Sequence, residues 1–114
     1  MLIRSQDKTA LVKFENIVIN LKLPESLRVI CWSLQDAQRS GGYFVLGEYS
    51  TKAKALKVLD MIQEAYADEK FIDYTVYLQQ KEIEKMDDST ILALRNELIK
   101  KAVFQIPEDS EVEV

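Results

Sequence analysis

Tyr43-Phe-Val-Leu-Gly-Glu-Tyr49 runs directly into Ser50-Thr-Lys-Ala-Lys-Ala-Leu-Lys-Val-Leu-Asp-Met-Ile62, and the hydrophobic period changes at Ser50. Upstream the apolar residues alternate, as in a strand. Downstream, Ala55, Val58, Leu59, Ile62, Ala65 and Tyr66 recur at steps of three and four, which is one stripe of an amphipathic helix. Ser50 or Thr51 supplies the N-cap, because a hydroxyl oxygen accepts from the free amides of a first helical turn. Lys54, Lys57, Asp60, Gln63, Glu64 and Asp68 fall on the opposite, solvated side. Such a helix lies across a sheet and buries its stripe there.

Upstream of this junction the period stays at two. Leu2-Ile-Arg4 and Ala10-Leu-Val-Lys-Phe14 flank the polar stretch Ser5-Gln-Asp-Lys8, a hairpin turn. Ile17, Ile19, Leu21 and Leu23 share one face until Pro24 stops the strand. Leu27 to Leu34 follows, then a loop from Gln35 to Gly42. Five short strands with short connections favour an antiparallel meander. Downstream, Phe71 to Leu78 fits either a strand or a helix. A helix is expected from Ser89 to about Ala102, capped by Asp88 and striped by Ile91, Leu94, Leu98 and Ala102. An extended piece leads from it to Pro107. The expected fold is α+β: an antiparallel sheet of about five strands packed against one amphipathic helix, with a second helix and a short C-terminal strand. One domain covers residues 1–106. The acidic tail 107–114 is expected to be mobile until something binds it.

Composition excludes much chemistry. The 114 residues include no histidine and one cysteine, Cys31, in a chain 47% hydrophobic and 30% charged. That removes Ser-His-Asp and Cys-His catalysis, histidine-ligated metals, intrachain disulfides and structural zinc. No glycine-rich phosphate loop or nucleophile elbow is present, and Asp87-Asp88 is explained by helix capping. An enzyme is not expected, nor a metal or cofactor. No apolar run approaches the roughly 18–20 residues of a spanning helix, and Met1-Leu-Ile-Arg4 lacks the apolar core of a secretory signal. A cytoplasmic location and no membrane contact are expected. The net charge is −4, divided into +4 through Lys57 and −8 after it. A net acidic protein is a poor non-specific DNA binder.

Three groups of residues are candidate sites. Lys52, Lys54 and Lys57 crowd the start of the main helix, where cations oppose the macrodipole. An anion held by the free amides would account for them, with Arg39 from the preceding loop and Tyr43 as a stacking face for a nucleotide base. Solubility alone also accounts for these lysines. Glu108, Asp109, Glu111 and Glu113 offer an acidic strip to a basic partner. Ile30, Trp32, Leu34 and Phe44 are surplus apolar residues on strands that are apolar on both sides, which calls for a second cover. A homodimer or higher oligomer is expected to provide it.

Met1-Leu-Ile-Arg-Ser-Gln-Asp-Lys8, Leu46-Gly-Glu-Tyr-Ser-Thr51 leading into Lys54-Ala-Leu-Lys-Val-Leu-Asp-Met-Ile62, and Val103-Phe-Gln-Ile-Pro-Glu-Asp109 carry a resemblance. They are similar to stretches of short proteins common in phages, prophages and plasmids of Gram-positive bacteria. The resemblance implies a non-catalytic counter-defence protein in the cytoplasm of a bacterial host. Its first implied role is that of an anti-CRISPR inhibitor of a type II RNA-guided nuclease. The alternative is a sponge that sequesters a cyclic nucleotide signal of the cyclic ADP-ribose type in Thoeris immunity. A phage structural or regulatory protein is the further alternative. The resemblance assigns no binding residue.

Overall fold

The strand Arg28–Ser33 (β4) lies between Ile17–Leu21 (β3) and Phe44–Glu48 (β5), antiparallel to both. The structure, a computed structural model, describes residues 1–36 and 42–114. β3 and β4 pair from Ile17↔Ser33 to Leu21↔Val29. Between β4 and β5 the register shifts after Val29↔Gly47, so that Ile30 faces Val45. This bulge leaves Leu46 without a partner and buries it in the core. Paired residues share a face. Val29, Cys31 and Leu21 therefore point to the core, while Val18, Ile30, Trp32 and Val45 share the other side. Burial of Cys31 pushes its thiol pKa up, so the thiolate is disfavoured.

Among the described residues, the expected single sheet of about five strands is replaced by two sheets of three. In the second, Leu2–Arg4 (β1) is central, antiparallel to Leu11–Lys13 (β2) and parallel to Val103–Gln105 (β6). The break arises after β2. A 3-10 turn at Phe14–Asn16 replaces the hairpin a meander requires, and the Phe14 amide donates back to the Met1 carbonyl. The chain is thereby turned away from β2 before β3 begins, and the free edge of β1 goes to β6. The two sheets and the first half of the main helix enclose one core, with Ile3, Val29, Leu46, Val58, Ile62 and Ile106 at its centre.

The main helix, α1, spans Lys52–Leu78, about 40 Å at 1.5 Å per residue. Thr51 caps it, its Oγ1 accepting from the Lys54 amide at 3.2 Å. Ala55, Val58 and Ile62 are buried, as their stripe implies. The ambiguous stretch Phe71–Leu78 is helical. Among the described residues of α1 beyond Ile62, none is buried, so this half leaves the core and projects. A single turn, Gln80–Ile83 (α2), leads to Asp88–Ala102 (α3), which returns along α1. Asp87, one residue before the expected Asp88, caps α3 by accepting from the Thr90 amide at 2.8 Å. The projecting pair forms an arm. It raises the radius of gyration to 16.9 Å, against about 13 Å for a compact chain of this length.

The segment after Pro107 is packed, which corrects the expectation of a mobile tail. Val112 is buried in the core, and Asp109–Glu111 forms a 3-10 turn. The Pro107 carbonyl accepts from the Tyr49 hydroxyl at 2.7 Å and from Gln6 Nε2 at 3.0 Å. Val112, the Pro107 carbonyl and Asp109 anchor this otherwise acidic strip.

Candidate functional site

The arm carries an apolar opening. α1 and α3 border a groove of about 450 Å³, lined by Ile72 and Val76 from α1 and by Ile91, Leu94, Leu98 and Ile99 from α3. A four-residue step from Ile72 to Val76 and from Ile91 through Arg95 to Ile99 puts each set on one helix face. The charged lining is segregated. Glu69 and Asp73 stand on the α1 wall, Arg95 and Lys101 on the α3 wall. Glu69 Oε1 also lies 3.3 Å from the amino group of Met1, which reaches Glu15 Oε1 at 3.0 Å, so the root of the arm is tied to the sheets.

Phe71 and Tyr74 stand on the side of α1 away from this groove and Tyr77 at its flank, one helical turn from Asp73; they are exposed by 69, 62 and 74%. Their spacing of three residues makes them a continuous ridge. The sequence signals for both surfaces were the Ile72–Val76 step and the Phe71–Tyr74 step. The β-branched and aromatic composition of the stretch masked them.

Three of the residues expected to hold an anion, Lys52, Lys54 and Lys57, lie in the first turns of α1. Lys52 and Lys57 are exposed. Lys54 instead donates to the Asp109 carbonyl at 2.9 Å, with its ammonium 3.5 Å from Asp109 Oδ2. Tyr43 is exposed, and the Lys22 ammonium sits 5.0 Å from its ring centroid, in cation–π range. Arg39 lies outside the described residues. Among the acidic candidates, Glu113 is exposed, and Glu108 and Glu111 cap one another across the 3-10 turn. Of the expected interface residues, Ile30 is already buried within the single chain and Trp32 half-buried, while Leu34 and Phe44 are exposed. Ile30 therefore has little surface left to lose to a partner.

Asp109 has a structural role that its place in an acidic tail concealed. The Ser50 amide donates to its Oδ1 at 2.7 Å and the Ser50 hydroxyl at 3.0 Å. These bonds, with the Lys54 ammonium, hold its carboxyl below the usual range. A depressed carboxyl stabilises the fold above its unfolded value, near 3.9, and stops doing so as the pH falls through the lower folded value. Asp109→Asn should accordingly lower the thermal midpoint at neutral pH, with the gap from the parent chain closing as the solution is acidified toward pH ~2. Thermal scans of both chains across that range check it. A gap that stays constant with pH means that the charge of Asp109 contributes nothing. Lys54→Glu, on the same geometry, should also lower the thermal midpoint.

Tyr49 is another titratable group set apart. Burial pushes its phenol up, and the carboxylates of Glu108, Asp109 and Glu111 add to the shift. It remains a protonated donor to Pro107. Among the described residues no group of three His, Cys, Asp or Glu side chains has metal-binding geometry, and no helix is long and apolar enough to cross a membrane. Compared with protein-family models, curated proteins and solved structures, the chain matches none.

Proposed function

We propose that the protein is a non-catalytic binding protein that grips a macromolecular partner with its projecting arm. The observation that carries this reading is the exposed ridge of Phe71, Tyr74 and Tyr77. Aromatic side chains dominate interface hot spots, and each offers about 150–250 Å² to a partner. A ridge of three in water has no value to a solitary chain.

The partner's chemistry follows from charge. The chain carries −4 overall and −8 after Lys57, which suits a basic surface and disfavours direct binding to nucleic acid. The resemblance to counter-defence proteins makes a type II RNA-guided nuclease the first partner, because its guide–target channel is positively charged. Binding there is stoichiometric inhibition, with no substrate turned over.

Titration of a purified, guide-loaded type II nuclease tests this. DNA cleavage should fall to an endpoint at equimolar inhibitor, and added salt should weaken the effect. Tyr74→Ala should weaken inhibition roughly 30-fold, the equivalent of a hot spot of about 2 kcal/mol, while leaving the helical circular dichroism unchanged. Full cleavage at excess inhibitor overturns the nuclease reading. Undiminished inhibition by Tyr74→Ala overturns the role of the ridge.

A further inference from the structure

We infer that the groove between α1 and α3 is filled by the same groove of a second copy, making a two-fold dimer joined through the arms. The inference rests on the reading of the arm as a gripping element, but uses the face away from Phe71 and Tyr74.

Energetics come first. No residue of the 15-residue α3 is buried in the single chain. Isolated helices of about that length are marginal in water, and most helical stability in proteins comes from covering an apolar face. Half-exposed residues such as Ile91 at 40% and Ile99 at 54% supply that face, and α1 covers only part of it. A stable α3 therefore needs a further apolar surface over the groove.

The charges identify the occupant. The groove is acidic along α1 through Asp73, Glu69 being already paired with the Met1 amino group, and basic along α3 through Arg95 and Lys101. A surface acidic on one side and basic on the other is complementary to itself under one rotation. A two-fold axis running along the arm keeps every residue at its own height and lays α1 of one copy over α3 of the other. Asp73 then meets Arg95 of the second copy, and the symmetry makes the contact twice. An axis across the arm would lay α1 over α1 and set acid against acid, a juxtaposition that selects against that arrangement. The preferred arrangement is a four-helix bundle, with both sheet regions at the same end. Phe71 and Tyr74 of each copy stay on its outside, available to another partner. This interface differs from the expected one around Ile30, Trp32, Leu34 and Phe44.

Sedimentation equilibrium of the full chain at micromolar concentration tests the arrangement. The wild type should sediment at twice 13.2 kDa. Arg95→Glu and Asp73→Arg each place like charges together twice, and each alone should weaken the dimer by about a hundredfold or more. Mixing the two variants should restore the double mass, because the heterodimer holds one native pair and one reversed pair. Helical circular dichroism on the same samples follows α3, and any helix lost in the single variants should return in the mixture. A wild-type mass of one chain overturns the inference. So does a dimer that both reversals leave intact, or a mixture that stays monomeric. A monomer that still inhibits the nuclease removes only the dimer, and a dimer that inhibits nothing removes only the nuclease reading.

Discussion

Ile3→Ala should cost about 2–5 kcal/mol and lower the thermal midpoint by on the order of 10–20 °C. Ile3 is fully buried at the centre of the smaller sheet, between Val12 on β2 and Phe104 on β6. Truncation removes three carbons from a site held on both sides by ladder hydrogen bonds, so the strands cannot close over the gap. The loss is the transfer free energy of those carbons plus a cavity term. Domains of this size have only about 5–15 kcal/mol of stability in total. Thermal unfolding followed by circular dichroism provides the number. A midpoint within a few degrees of the wild type would mean that β1 does not sit between β2 and β6.

Gly47→Ala should be comparably damaging, by overpacking. A Cβ at position 47 would lie 2.9 Å from Ile106 Cγ2 and 2.9 Å from the Tyr49 hydroxyl. Neither neighbour is free to retreat. Ile106 is buried, and Tyr49 is buried and fixed by its bond to Pro107. Overpacking of this kind costs about 1–3 kcal/mol, and displacement of Tyr49 adds the penalty of an unpaired buried hydroxyl, about 1–3 kcal/mol more. Gly42→Ala is the control, because a Cβ there meets nothing within 4 Å. Equal midpoints for the two variants would refute the close approach at Gly47. Gly47 and Ile106 are in contact, so substitutions at both would not add.

The first half of α1 was legible because Ala55, Val58 and Ile62 repeat with one period against one surface, and Thr51 announces their start. The strands were legible as strands for the same reason. Their partners were not. Alternation at Leu2–Arg4 says which residues share a face, but nothing in it indicates that Ile3 pairs with Phe104 as well as Val12. The helical reading of Phe71–Leu78 was hidden by aromatic and β-branched residues, whose strand preference is weak and context-dependent. Continuation of an established helix, with Ile72 and Val76 turned to α3, outweighs it. In the tail, Val112 is one apolar residue among acids, so charge suggested solvent while burial and the Tyr49–Pro107 bond held the segment down. The candidate site was illegible for a related reason: the segregation of Asp73 from Arg95 has meaning only once α3 folds back on α1.

The parallel pairing of β1 with β6 also governs when the molecule can finish folding. A ribosome adds Leu2–Arg4 long before Val103–Gln105, so the first hairpin emerges with one flank unclaimed and Ile3 without its final neighbour. Contacts between residues so distant in the chain are slow to form, and exposed strand edges invite aggregation in the meantime. Release of the last turns of α3 and of β6 from the exit tunnel is therefore the event that closes the sheet. A nascent chain stalled before Gln105 should stay open to proteases that the finished protein resists.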